Sequence, residues 1–194
     1  MQSDEELMAA YVAGDTAAFE ELFRRYAPAL LRVIGRQLSS PGEAHDLVQQ
    51  TFLQLHRARH DFKPGARLRP WIFTIALNLK REHYRRLRRR PEAPLELDGR
   101  HDPAILPEPP ERAENERAVR SALDKLPPDH REVIVLHWFE GLSFPEVSAV
   151  VGASVSAVKV RAHRGYVALR KLLAEPGNQT DAAGIPKEKG DGMR

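Results

Sequence analysis

Residues 142–164, LSFPEVSAVVGASVSAVKVRAHR, carry the signals for two short helices on either side of a glycine. Ser143 and Glu146 have the spacing of a capping box, in which two side chains satisfy free backbone amides at a helix start. Gly152 stands where the first helix must end, because glycine adopts a left-handed backbone at no steric cost. Ser154 can cap the second helix. The stretch therefore predicts two helices joined by a tight glycine turn.

The second of these helices is amphipathic and basic. From Val147 to Ala174 the chain has five Lys or Arg residues and no acid. Its apolar positions predict a buried face made of Val155, Val158, Ala162, Leu169 and Leu172. Its other face carries Ser156, Lys159, Val160, His163 and Arg164. Such a pair is typical of a helix-turn-helix, whose second helix enters the DNA major groove. A helical hairpin with a merely solvated basic face is the alternative.

Composition excludes several classes of function. The 194 residues include no cysteine, which excludes a disulfide framework, a thiolate zinc site and a thiol nucleophile. No apolar run reaches membrane-spanning length, and the acidic N-terminus is unlike a signal peptide, so we expect a cytoplasmic protein. The eight histidines include no His-Glu-x-x-His pattern, and the glycines form no phosphate-binding loop. We therefore expect no metal, no cofactor, no small-molecule substrate and no catalytic residues; the protein is not expected to be an enzyme.

The apolar periodicity is helical throughout and predicts an all-α fold of two small domains joined by a flexible linker. We place the first domain at residues 1–90, an acidic, proline-rich linker at 91–112, the second domain at 113–174 and a disordered tail at 175–194. Between Lys80 and Arg90 seven cations accompany one acid, whereas between Glu92 and Glu116 eight acids accompany two arginines. This asymmetry indicates a nucleic-acid surface beside an acidic connector.

One helix of the first domain begins near Pro41 and has two distinct faces. Leu47, Val48, Phe52 and Leu55 are predicted to pack inward. A second face carries Asp46, Gln49, Gln50, Leu53 and Gln54. The polar members are compatible with simple solvation, but Leu53 among them indicates a contact surface.

The following helix is predicted to begin at Pro70. Its buried stripe is predicted to contain Ile72, Ile75, Ala76 and Leu79, with His83 at its end. A second stripe contains Trp71, Thr74, Asn78, Arg81, Arg85 and Arg88, followed by Arg89. Aromatic rings stack on unpaired bases, amides bond to base edges and arginines neutralise phosphates, so this stripe predicts contact with opened DNA. The alternative is that Trp71 belongs to the core and the arginines only solubilise the helix.

In order and spacing, these parts resemble bacterial RNA polymerase sigma factors of the extracytoplasmic-function group. DLVQQTFL at residues 46–53 resembles the helix with which that family binds core polymerase. RPWIFTIALN at residues 69–78, followed by the arginine run, resembles its promoter-melting segment, and residues 126–164 resemble its −35-binding domain. One departure is Gln50, which stands where the family often has an acid.

The resemblance implies specific roles. The face from Asp46 to Gln54 would meet the clamp helices of the largest polymerase subunit, and the polymerase flap would be a further contact. The loop from Phe62 to Arg69, with Asn78, would hold a flipped −10 base, and Arg81, Arg85, Arg88 and Arg89 would hold DNA backbone. Ser156, Lys159, Val160, His163 and Arg164 would meet the −35 element, with Arg161 on phosphate. Promoter DNA, core polymerase and an anti-sigma factor are thus the expected partners.

Two other classes remain as alternatives. An ordinary helix-turn-helix regulator that never contacts polymerase explains the second domain but not the Trp-Asn-Arg stripe of the first. A nuclease or DNA-modifying enzyme would need an acidic or metal-binding constellation, and the sequence offers none. We also advance the hypothesis that the acidic linker mimics nucleic acid in the polymerase channel, because its charge complements basic walls.

Overall fold

The computed structural model describes residues 2–35, 38, 41–63, 65–89 and 110–174, with the backbone alone described at residue 41 and residues 110–116. Its α-helices are α1 (Asp4–Val12), α2 (Thr16–Ile34), α3 (Pro41–Arg57), α4 (Leu68–Arg88), α5 (Pro110–Asp124), α6 (Pro128–Ile134), α7 (Phe144–Val151) and α8 (Val155–Ala174). A 3₁₀ turn, Arg59–Asp61, follows α3. The described ranges contain no strand, so the predicted all-α class is confirmed. The charge hypothesis for the linker and the prediction of a disordered tail concern residues outside these ranges.

Local sequence signals set the ends of the first helices. Ser3 and Glu6 form a capping box at α1, and the Ser3 amide donates to Glu6 Oε2 over 2.7 Å. Asp15 Oδ1 caps α2 by accepting from the amides of Ala17 and Ala18 at 2.9 and 3.3 Å. The helix continues through Pro28, although proline has no amide hydrogen to donate there.

Helices α1 to α4 pack around a core that includes the predicted inward residues of α3. Leu47, Val48, Phe52 and Leu55 are all buried. Helix α4 begins at Leu68, so the predicted start at Pro70 is wrong by two residues. Pro70 is therefore the third residue of α4. Proline is also tolerated at this position, because the first amides of a helix have no hydrogen-bond partner within the helix.

Helix α4 is buried on more than its predicted stripe. Ile72 and Ala76 are buried as predicted, but Phe73, Leu77 and Lys80 are buried as well. Helix α4 packs against α3 in the first unit and against α7 in the second, so residues beyond one stripe are covered. A periodicity argument finds one apolar face and does not detect the second neighbour.

Helices α5 to α8 form the second unit. Ala122 and Leu123 of α5, and Leu126 just after it, pack with Ile134 and Leu169. Helix α5 begins at Pro110, inside the segment that the sequence assigned to the linker. Proline at the start of a helix and acids in its first turn favour helix formation, which accounts for the earlier start.

A π-helical turn, Val135–Phe139, extends α6 and was not predicted from the sequence. The Glu140 amide donates to Val135 O over 3.0 Å, which closes this wider turn. Such turns are rare and often occur at functional sites. Here the turn leads directly into Glu140, a residue only 1% exposed.

Part of the second unit shares a hydrophobic core with the first unit. Val133, Leu136, Val147 and Val150 of the second unit belong to the same buried cluster as Phe73 and Leu77 of α4. The chain therefore adopts a closed arrangement in which the first and second units are packed together.

Candidate nucleic-acid interface

The helix-turn-helix has the local geometry that the sequence predicts. The Ser143 amide donates to Glu146 Oε2 over 2.8 Å, and the Glu146 amide donates to Ser143 Oγ over 3.4 Å. Gly152 has φ 71° and ψ 36°, which is the left-handed conformation that ends α7. The Ala157 amide donates to Ser154 Oγ over 3.2 Å, so Ser154 caps α8 as expected.

Helix α8 separates buried from exposed residues along its length. Val158, Ala162, Gly165 and Leu169 are buried, whereas Val155 is 37% exposed although it was predicted to be inward. Val155 is the first residue of the helix, where the packing against α7 has not yet begun to cover the side chain. The predicted recognition residues Ser156, Lys159, Val160, His163 and Arg164 are all exposed. Arg161 is half-buried and lies 3.7 Å from Asp129.

Phe144 supports the recognition face, although the sequence analysis did not single it out. Lys159 Nζ lies 5.9 Å from the centroid of its ring. The His137 ring stacks against the same side chain with centroids 4.1 Å apart. An aromatic residue at the first position of α7 is the sequence signal that could have indicated this arrangement.

Some residues of the predicted stripe of α4 are exposed, whereas others are in contact with other parts of the protein. Asn78, Arg85, Arg88 and Arg89 are exposed. Trp71 is half-buried and its ring lies 5.2 Å from that of Phe62, so the tryptophan is partly a core residue. Thr74 Oγ1 donates to Pro70 O over 2.8 Å and is thereby turned to its own helix.

Two cations of this surface contact the second unit. Arg81 Nη2 donates to Glu132 Oε2 over 3.4 Å and to Val151 O over 3.3 Å, while its Nη1 donates to Asn78 Oδ1 over 3.3 Å. Arg69, at the end of the predicted base-holding loop, donates to the backbone oxygen of Glu140. Neither contact could be predicted from the sequence, because both partners lie far away along the chain.

Burial changes the protonation equilibria of two charged groups at this junction. Burial lowers the pKa of Lys80 to about 8, and the neighbouring Glu132 only partly opposes this effect. Burial also raises the pKa of Glu140 above its ordinary value, against the opposing effects of Arg32 and Arg69. In the closed arrangement both groups are therefore costly to keep charged.

A second exposed surface lies on α3. Asp46, Gln49, Gln50, Leu53 and Gln54 are all exposed, as the sequence predicts for a contact surface. Leu53 is 48% exposed. Phe23 of α2 is 42% exposed, and its ring lies 4.6 Å from that of Phe52 on α3. Phe23 was not predicted from the sequence as part of a contact surface.

The described part of the chain contains neither a cluster of metal-binding side chains nor a membrane-spanning helix. Within it, no group of three or more His, Asp or Glu side chains is arranged to hold a metal ion. In the same residues, no helix is both long and apolar enough to span a bilayer.

Comparisons with known proteins match both units. Residues 22–90 match the family model for sigma-70 region 2, and residues 116–169 match the model for sigma-70 region 4. The chain is 40% identical over 162 residues to the RNA polymerase sigma factor CarQ of Myxococcus xanthus, covering 84% of this chain and 92% of the relative. It is 33% identical to the ECF RNA polymerase sigma factor SigM of Mycobacterium tuberculosis, covering 89% of this chain and 85% of the relative.

A solved structure shows the same fold. The sigma factor RpoE of Bartonella quintana, in a co-crystal with the anti-sigma factor NepR, matches with a TM-score of 0.62 and 28% identity. The match covers 81% of this chain and 98% of that protein.

Proposed function

The chain belongs to the extracytoplasmic-function group of RNA polymerase sigma factors, and from this premise we propose how its surfaces divide the work of promoter-specific transcription initiation. Helix α8 reads the −35 element, helix α4 engages and opens the −10 element, and helix α3 binds core polymerase. The observation that carries this assignment is the exposure of every predicted recognition residue of α8 opposite its buried face.

At the −35 element, Ser156, Lys159, Val160, His163 and Arg164 meet the major groove. The exposed valine offers an apolar contact to a thymine methyl group, and the cations offer donors to guanine. Arg161 is half-buried beside Asp129, which places it at the edge of the face and suits a phosphate contact.

At the −10 element, Asn78 and the loop from Phe62 to Arg69 hold a base out of the stack. Arg81, Arg85, Arg88 and Arg89 hold the DNA backbone. Trp71 lines the site that holds this base and does not stack fully on it, since its ring packs against Phe62 and is only partly accessible.

Polymerase binding is assigned to the exposed face of α3. Asp46, Gln49, Gln50, Leu53 and Gln54 meet the clamp helices of the largest subunit, and the second domain meets the flap. Two exposed apolar side chains, Leu53 and Phe23, supply apolar surface, and its removal from water would stabilise the interface. The domain limits at residues 90 and 174 are part of the same proposal, and the start of the second domain moves from residue 113 to Pro110, where α5 begins.

We also propose a cytoplasmic location and an anti-sigma factor as a regulatory partner. The second assignment is supported by RpoE, a relative with the same fold that was crystallised with the anti-sigma factor NepR. No cofactor, metal or small-molecule substrate is required, and no residue acts as a catalyst.

The proposal is tested by adding the purified protein to core polymerase on genomic DNA and mapping the 5′ ends of the transcripts. New start sites that share two upstream elements are expected, and substitutions in either element should remove them. A helix-turn-helix regulator that does not bind core polymerase produces no new start sites, and that result would reject the proposed function.

A further inference from the structure

The closed arrangement places acids of the second domain on cations of the first. Glu132 of α6 lies 3.8 Å from Lys80 Nζ and 3.4 Å from Arg81 Nη2, both on α4. Arg81 donates in addition to the backbone oxygen of Val151, the last residue of α7. The guanidinium of Arg81 is thereby held by two groups of the second domain.

A second contact lies at the other end of α4. The Glu140 carboxylate is 1% exposed and lies 3.1 Å from Arg32 Nη2 of α2. Arg69 donates to the backbone oxygen of the same residue. The π-helical turn before Glu140 brings this residue to the first domain, so an unusual local structure serves an interdomain contact.

The two contacts coincide with the proposed −10 surface. Arg69 and Arg81 are separated by 12 positions along the chain, or roughly 18 Å of helix, and both belong to that surface. An arginine that is bonded to a carboxylate or carbonyl of the second domain has fewer donors left for a DNA phosphate. Closure and full engagement of the −10 element therefore compete for the same donors.

We propose that the second domain acts as an internal competitor of the −10 element, with Glu132 and Glu140 anchoring it on the promoter-melting surface of the free protein. This inference rests on the proposed function and adds a regulatory state to it. Opening of the protein releases Arg69 and Arg81 for DNA and separates the two recognition helices. The Glu132 carboxylate and the backbone oxygens of Glu140 and Val151 thus occupy donors of Arg69 and Arg81 until the domains part.

One of the ion pairs that join the two domains can be broken at low cost. Arg81 is 40% exposed, so its ion pair with Glu132 is partly solvated and weak on its own. The buried Glu140 depends for compensation on Arg32, which is itself 47% exposed. Lys80 is buried near Arg81 and Arg131, and Glu132 offsets that concentration of positive charge.

Two variants on opposite domains test the proposal. Glu132→Gln leaves Lys80 and Arg81 without the acid that they contact on the second domain, and Arg32→Gln leaves the buried Glu140 with less compensation. Matched controls are Glu82→Gln and Arg24→Gln, because Glu82 and Arg24 make ion pairs within their own helices, with Arg86 and Glu21. The first control changes the charge of α4 itself without touching the interdomain contact.

The distance between domains is measured by electron–electron double resonance. Spin labels are attached to Glu20→Cys and Arg170→Cys, both exposed, and the absence of native cysteine makes the labelling specific. The affinity of the free protein for a single-stranded oligonucleotide carrying the mapped −10 sequence is the second measurement. Helical circular dichroism verifies that each variant is folded.

We expect both test variants, and neither control, to shift the distance distribution to longer values. Glu132→Gln should tighten oligonucleotide binding more than Glu82→Gln, which adds the same charge to the protein without opening it. If about one tenth of the wild-type protein is open, full opening tightens binding about tenfold. Unchanged distances in both test variants would overturn the proposal. Opening without tighter binding would also overturn it, whereas new start sites in the transcription assay would still support the proposed function.

Discussion

Phe144 lies beneath Lys159, whose Nζ is 5.9 Å from the centroid of the phenyl ring. The His137 ring covers Phe144 with an interplanar angle of 23°, and its Nδ1 lies 2.6 Å from Leu142 O, to which it donates. The hydrogen bond and the stack fix the phenyl ring, and the ring attracts the ammonium group through its negative face. A flexible cation is thus restrained on the face that we assign to the −35 element.

Replacing Phe144 with leucine should weaken −35 binding through Lys159. A cation–π contact at an exposed site contributes about 0.5–1 kcal/mol, so we expect a loss of about two- to fivefold in affinity for a −35 duplex. Phe144→Tyr retains the ring and should bind nearly as wild type. In a double-mutant cycle, Phe144→Leu should cost almost nothing in a Lys159→Ala background. An equal loss in both backgrounds would assign Phe144 a purely structural role.

Alanine at Lys159 or Arg164 distinguishes base reading from phosphate contact. Each residue should contribute about 1–3 kcal/mol if it bonds to base edges. The loss should then depend on the −35 sequence, whereas a phosphate contact produces a uniform loss across sequences. Anisotropy titrations against a panel of single-base −35 variants measure this dependence. Unchanged binding in both variants would remove the recognition role from α8.

Asn78 is exposed on α4 and accepts a hydrogen bond from Arg81, which places it beside the proposed base-holding loop. Unpairing a base costs several kcal/mol, and a pocket must offset that cost. Asn78→Ala should therefore reduce permanganate reactivity of −10 thymines in the polymerase complex, with core affinity unchanged. Normal opening accompanied by weaker core binding would contradict this role.

Positive charge on the exposed face of α3 should disrupt polymerase binding without unfolding the protein. Gln49→Lys combined with Leu53→Lys places two cations in an interface whose centre must be desolvated. We expect loss of co-purification with core polymerase and an unchanged helical circular dichroism spectrum. Ala9→Lys combined with Ala17→Lys adds the same charge at exposed positions of α1 and α2 and should bind normally. Unfolding of the first variant would show that the assigned face is inverted.

The sequence predicted the parts of this fold that depend on near neighbours along the chain. The capping box at Ser143, the cap at Ser154 and the left-handed Gly152 are each determined within a few residues. The exposed faces of α3 and α8 followed from periodicity in the same way. Such signals identify a helix and its outer face without reference to the rest of the molecule.

Features that depend on distant segments were not predictable in this way. Gly165 sits in the middle of α8, where an added Cβ would lie 2.6 Å from Ile134 Cδ1. Only the close approach of α6 explains this glycine. Glu140 and Lys80 have ordinary surface sequences around them, yet both are buried by the packing of one domain on the other. The free-energy cost of burying these two charged groups, and the residues that contact them, can be identified only from the three-dimensional structure.

Lys80 makes the stability of the closed protein depend on pH. Its side chain is 7% exposed and lies 3.8 Å from Glu132, a separation too long to offset burial fully. Burial is the largest cause of its lowered pKa of about 8, Glu132 opposes it, and Arg131 and Arg81 add to it. In the unfolded chain the same group titrates near 10.5. The charged form is thus disfavoured in the folded state, and this penalty applies in full below pH 8.

The free energy of unfolding should therefore rise with pH above 8, because the unfolded chain then binds more protons than the folded one. Between pH 7 and 9.5 the gain should be about 2 kcal/mol, at 1.36 kcal/mol for each pKa unit. Urea denaturation of the wild type and of Lys80→Met across this range measures it. The variant keeps the length of the side chain and all tyrosines, whose own titration above pH 9 then cancels in the comparison. We expect the difference between the two proteins to shrink steadily as the pH rises, and parallel pH profiles would show that Lys80 is solvated.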